Sequence, residues 1–215
     1  MKELVKIFND FSLYKVTEKE ELLQISQLVL RVNYKHHLNQ EFFPQDELLK
    51  LYSEDLNALT TSNFYAIYDR YDEIVGAVKS QKWDRKSVLT IEKDFMVNLQ
   101  YFIHGLPYMP KDVFHIGRFA IDQEKIKENE TLRQKRITIM KLLMYYALLP
   151  IFAGKSNIFF CECDEKLYSK LNLLGLHTHI IGNPKVYLGS KTLPIYCNHS
   201  GLKEFINQNK HLSHA

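Results

Sequence analysis

Residues 113–122, Val-Phe-His-Ile-Gly-Arg-Phe-Ala-Ile-Asp, constrain the chain more than any other stretch. Val113, His115, Gly117, Phe119 and Ile121 alternate with Phe114, Ile116, Arg118 and Ala120, and both sets are largely apolar. A strand with two apolar faces is covered on both sides, so the pattern predicts the middle of a layered α/β fold. After a polar loop, Leu132, Ile137, Met140, Leu143, Met144, Ala147 and Leu148 recur at three- and four-residue steps until Pro150. That spacing predicts a helix laying one face on a sheet and closed by the proline. Two features are not packing: His115 and Arg118 inside the strand, and Arg133, Gln134, Lys135 and Arg136 crowded at the helix start. Burying a lone ionisable group is costly, so His115 and Arg118 each call for a partner.

The rest of the chain organises around this unit. Residues 12–16 read as a short strand, and Thr17-x-x-Glu20 has the form of a capping box that starts a helix. Leu22, Ile25, Val29 and Val32 form its stripe, which ends among residues 34–39. A second helix is predicted over 46–59, with Leu48, Leu49, Tyr52, Leu56 and Leu59 on its buried side. Residues 64–68 and 74–79 read as an antiparallel pair joined by the polar 69–73. Phe95, Met96, Leu99, Phe102 and Ile103 predict one inserted helix over about 91–104, ended by Gly105. The run 157–163 is a second interior strand; Asp164 caps the next helix and Gly175 ends it. Strands over 177–181 and 185–188, the latter extended by 193–197, and a helix over 202–209 close the chain. With no repeat or low-complexity linker, residues 1–215 are expected to form one domain.

Composition narrows the function classes. A net charge of +3, with basic residues spread rather than blocked, does not suggest nucleic acid. Cys161, Cys163 and Cys197 are odd in number and lack CxxC spacing, which argues against a disulfide framework and a structural zinc site; no metal is expected. No apolar run approaches the roughly 20 residues that span a bilayer, and nothing at the N-terminus reads as a leader, so a soluble cytoplasmic protein is expected.

Three segments carry a resemblance: Ile116-Gly-Arg-Phe-Ala-Ile121, Ile74-Val-Gly-Ala-Val-Lys79, and Leu174-Gly-Leu followed by Ile181-Gly-Asn-Pro-Lys-Val-Tyr-Leu-Gly189 and Pro194. In order and spacing, over about residues 60–197, they resemble the GCN5-related N-acetyltransferase (GNAT) superfamily. The sharper likeness is to its acyl-homoserine-lactone synthase and long-chain N-acyl amino acid synthase branch. The resemblance implies an α/β (α+β) fold: a mixed, mostly antiparallel sheet with a central, splayed parallel pair, flanked by helices. It also implies no tightly bound cofactor. The co-substrate would be acyl-CoA or an acyl carrier protein, its phosphopantetheine arm hydrogen-bonded to main chain around Phe119, Ala120 and Ile121.

Three departures bear on that picture. The superfamily's glycine-rich phosphate loop is replaced by Arg133-Gln-Lys-Arg-Ile-Thr138, which makes carrier protein as plausible a donor as coenzyme A. Three residues before the strand arginine, where the branch has glutamate, stands His115. The tyrosine many members use as acid aligns with Leu171, while Tyr168 lies about one helical turn earlier.

The chemistry follows. An ammonium must lose a proton before it attacks a thioester, and a group titrating near neutrality suits that task. His115 is the candidate base, a neutral core histidine the competing reading. Tyr168 is the candidate acid for the leaving thiolate. Arg31 matches the branch's helix arginine at the acceptor site. Arg118 is a second candidate there, read first as an ion-pair former with Asp46 or Asp55. Arg133, Lys135 and Arg136 would hold a pyrophosphate or the acidic face of a carrier protein, against simple solvation. The apolar side of 91–103, with Met140 and Met144, would line an acyl-chain tunnel or be plain core. The expected function is N-acyl transfer from a thioester to a small-molecule primary amine, possibly an amino acid. Two alternatives stay open: a non-catalytic acyl-thioester or carrier-protein binding module, and a short-chain acetyltransferase.

Overall fold

A computed structural model describes residues 2–187 and 189–213. Along the chain the elements are β1 (Lys2–Ile7), β2 (Phe11–Val16), α1 (Lys19–Leu38), α2 (Gln45–Ala58), β3 (Ser62–Asp69) and β4 (Ile74–Lys82). They continue with α3 (Thr90–Lys93), α4 (Leu99–His104), β5 (Val113–Ile121), α5 (Gln123–Glu128), α6 (Glu130–Phe152), β6 (Ile158–Asp164) and α7 (Glu165–Leu173). The chain closes with β7 (His179–Ile180), β8 (Lys185–Tyr187), β9 (Ser190–Asn198) and α8 (His199–Gln208). The nine strands follow the order β1-β2-β3-β4-β5-β6-β9-β7, with β8 also on β9. Antiparallel pairing dominates, and β5 pairs with β6 in parallel. No helix among the described residues is long and apolar enough to cross a membrane.

The contacts divide the chain into two compact units, and β5 contributes its second half to one and its first half to the other. The first unit takes residues 2–80 and 118–147. Its strand β2 pairs with β3 from Phe11↔Asp69 to Val16↔Phe64. Helix α1 buries Leu22, Ile25, Leu28 and Val29 against Phe64, Ala66, Tyr68 and Ala77. Strand β1 was not evident in the sequence, because Lys2, Glu3 and Lys6 mask its alternation. The capping box is also corrected: Glu18 occupies the N-cap and no side chain caps α1. In α2 the buried residues are Leu48, Asp55 and Ala58 while Leu49 is exposed, so the inward face includes a carboxylate the apolar pattern skipped.

The stretch read as a polar loop after β5 is helix α5, because the Asp122 carboxylate accepts from the Glu124 and Lys125 amides. Helix α6 buries Leu132, Ile139, Leu142 and Leu143 and turns Ile137 out to solvent. It runs through Pro150 to Phe152; in the last turn a proline forfeits little of the ladder, and the Ala153 amide still reaches the Leu149 carbonyl at 3.0 Å. Gly76 lets α6 approach β4: a Cβ there would lie 3.0 Å from Leu143.

The second unit takes residues 81–117, 148–187 and 189–213 of those described. Strand β6 pairs with β9 along its whole length, from Ile158↔Asn198 to Asp164↔Thr192. The inserted helix is two short ones, α3 and α4, interrupted where Met96 takes φ 57° and the Asn98 side chain caps Tyr101. The interruption swings Met96 to solvent and leaves Ile91, Phe95, Val97, Leu99 and Ile103 packed with Trp83, Phe160 and Tyr196. As expected, Asp164 caps α7 and Gly175, at φ 87°, follows its end. Strand β8 turns back on β9 instead of being extended by it, through Tyr187↔Ser190; Leu188 lies outside the described residues. Helix α8 starts at His199, capped by Asn198, and packs its Gly201 so closely that a Cβ would lie 2.4 Å from the His177 carbonyl oxygen. Gly201→Ala is therefore expected to lower stability by about 1–3 kcal/mol, read by denaturant unfolding.

Candidate functional site

In the second unit, the parallel register of β5 with β6 covers Val113↔Ile158, Phe114↔Phe159 and His115↔Phe160, while β6 runs on to Asp164 beside β9. Glu162 lies two residues past Phe160, on the same face by alternation, and its Oε2 is 2.9 Å from Nε2 of His115. The two side chains are only 10% and 9% exposed. The partner that a buried histidine demands is thus a carboxylate from the neighbouring strand, placed where the registered pairing ends. Such a pair holds an imidazole in one orientation. Glu162 was missed in the sequence; the signal was there, a lone carboxylate in the apolar run Ile-Phe-Phe-Cys-Glu-Cys.

Tyr168 sits half-buried on α7, its carbonyl accepting from the Asn172 side chain at 2.9 Å; the group bonded to His115 is Glu162. Cys161 and Cys163, flanking Glu162, are buried free thiols, as is Cys197. The hydrogen bond with Cys163, together with burial, pushes the Cys161 thiol well up, and burial pushes Cys197 up to about 12. They are packing groups, not thiolate nucleophiles.

The first unit holds a second cluster. Asp55, fully buried, accepts from Arg118 Nε at 3.1 and 3.0 Å and from Lys79 Nζ at 3.1 Å. Glu54 takes Arg118 Nη2 at 2.9 Å. Burial, followed by the charge of Arg118, lowers the Lys79 pKa, with Asp55 opposing both. Burial also acts to lower that of Arg118, but Asp55 and Glu54 outweigh it and the net shift is upward. Arg118 stands at φ 55°, a left-handed residue inside a strand, which breaks the alternation assumed from the sequence. Of the two partners expected for it, Asp55 is the one found.

Arg31 bonds Asp122 Oδ2 at 2.8 Å, the carboxylate that caps α5, so this guanidinium ties α1 to the start of α5. Arg31, Val32, Lys35 and His36 line a shallow depression with Asp122, Gln123 and Glu124. On β5, Ala120 and Ile121 are buried and Phe119 half-buried, with Ala120 in the first unit's core. Arg133, Lys135 and Arg136 are exposed on α6, and Arg133 pairs with Glu130 at 3.6 Å.

No protein-family model matches the chain, and no curated protein does. Solved structures do. FeeM, an N-acyl amino acid synthase from uncultured soil microbes, superposes with a TM-score of 0.63 at 13% identity, over 93% of this chain and 97% of its own. The fold is that of the GCN5-related N-acyltransferases. The likeness extends to BjaI, a CoA-dependent acyl-homoserine lactone synthase solved with SAM and isopentyl-CoA, at TM-score 0.60 and 10% identity over 90% of this chain and 82% of its own. It includes a GNAT-family acetyltransferase from Staphylococcus aureus Mu50, at TM-score 0.53 and 12% identity over 88% and 99% of the two chains. The GNAT-like, mostly antiparallel sheet with a central parallel pair, expected from the sequence, is observed, the pair being β5 and β6.

The Asp55 cluster yields a ranking. Asp55→Ala leaves Lys79 buried without its partner and is expected to cost about 3–5 kcal/mol. Glu54→Ala, at a half-exposed carboxylate, should cost about 1 kcal/mol or less in the same denaturant titration.

Proposed function

We propose that this protein is an N-acyltransferase that moves an acyl group from a thioester to a primary amine, an amino acid being the first acceptor class to test. The observation that carries the reading is the buried His115–Glu162 pair at the end of the β5–β6 register. A titratable base in the interior of this fold serves a reaction whose nucleophile arrives as an ammonium ion.

In this reading His115 takes the proton from the bound amine, and the freed nitrogen attacks the thioester carbonyl. Main-chain groups of β5 at Phe119, Ala120 and Ile121 orient the donor's pantetheine arm and polarise that carbonyl. Tyr168 returns a proton to the departing thiolate. Arg31 shapes the acceptor side, and Arg118 holds β5 to α2 through Asp55 and Glu54. Arg133, Lys135 and Arg136, exposed near the start of α6, draw in the donor's anionic end, a pyrophosphate or the acidic face of a carrier protein. Acyl-CoA is supported as donor by the likeness to BjaI, whose described activity is CoA-dependent. The whole chain acts as one catalytic domain with no resident cofactor, working in the cytoplasm where such thioesters are found.

The test is thiol release from short- and long-chain acyl-CoA and acyl carrier protein across a panel of amino acids and polyamines. His115→Ala is expected to lower kcat about 10²–10⁴-fold while donor binding, followed by calorimetry, persists. Donor that binds without ever being consumed overturns the enzyme reading in favour of a binding module. A His115→Ala variant as fast as wild type removes His115 as the base.

A further inference from the structure

Glu162 has a more specific part than neutralising a buried ring. An ionised carboxylate only accepts hydrogen bonds, so the imidazole nitrogen facing it must carry the hydrogen. That nitrogen is Nε2, 2.9 Å from Oε2 of Glu162. A neutral imidazole has one N–H, which leaves the lone pair on Nδ1. Glu162 is itself placed by a strand fully registered with β9 on one side, so the carboxylate is the fixed member of the pair and the ring conforms to it.

We propose that Glu162 is a positioning residue that holds His115 as the Nε2–H tautomer and so makes Nδ1 the atom that receives the amine's proton. The inference rests on the acyl-transfer reading. In the step it describes, the ammonium N–H bond breaks and its proton passes to Nδ1. The nitrogen lone pair then forms the C–N bond, the C–S bond breaks, and the thiolate leaves with the electron pair. A proton from the nitrogen, now attached to the acyl carbon, is lost and the thiolate gains one, while the proton on Nδ1 passes to solvent and restores the neutral ring, so the balance is ammonium plus thioester to amide plus thiol plus one proton. The Nε2–H stays on the ring throughout, and the carboxylate stabilises the transient imidazolium without itself being protonated.

Histidine-ring 15N NMR of the full chain, with the His115 signals assigned by their loss in His115→Gln, reads the tautomer directly. The neutral ring is expected to carry hydrogen on Nε2, and Glu162→Leu to abolish that preference. The same variant should lower kcat about 10- to 100-fold, the range for loss of the carboxylate that orients a metal-ligating histidine, with donor KM within about twofold. Glu162→Gln, nearly isosteric, keeps the test valid should the leucine variant fold poorly: loss of the charge should lower kcat in the same direction with the fold intact by circular dichroism. A neutral His115 protonated at Nδ1, or folded Glu162 variants with wild-type kcat, overturns the proposal. If the wild type transfers no acyl group, the acyl-transfer reading fails, and the ring spectrum still decides whether Glu162 sets the tautomer.

Discussion

An interior strand that carries two ionisable side chains must be supplied with counter-charges from outside itself, and this requirement shapes the structure around β5. A charged group left alone in an apolar setting costs several kcal/mol, enough to exhaust much of a domain's net stability of about 5–15 kcal/mol. Each of the two positions is answered from a different element: His115 by Glu162 on β6, Arg118 by Asp55 and Glu54 on α2.

The two answers differ in kind. Around Arg118 two basic and two acidic side chains meet: Arg118 and Lys79 against Asp55 and Glu54. Such a cluster fixes geometry, here the path of β5 through a left-handed residue at Arg118 and the seating of α2. At His115 an imidazole meets the carboxylate of Glu162 at 2.9 Å. Beside Glu162, the hydrogen bond with Cys163 and burial push the Cys161 thiol well up, away from a thiolate.

Registered pairing in the sheet adds the second constraint. Strand β6 is matched to β9 through seven residue pairs but to β5 through three, the last being His115↔Phe160. Glu162 therefore reaches His115 from beyond the last pair, and the contact is between side chains where main-chain registration has ceased. A polar pair at such a point satisfies itself without requiring a continued ladder.

The amino-acid sequence by itself determined the element types in the middle of the chain, because strand period and helix period are local: the β3–β4 hairpin, β5, β6 and the Asp164 cap are all readable from neighbours within a few residues. It also determined that His115 and Arg118 need partners, and offered Asp55 as one. It did not show β1, whose lysines and glutamate hide its period, or the break at Met96, where a backbone turn overrides apolar spacing. Nor did it distinguish Leu49 from Asp55 as the inward residue of α2, because that choice depends on charges 24 and 63 residues away. Only the tertiary structure decided that Glu162, 47 residues beyond His115, is the group that meets its ring. The reason is physical: a carboxylate in an apolar strand announces that it has a partner, but which partner depends on strand register, and register is a property of the folded sheet.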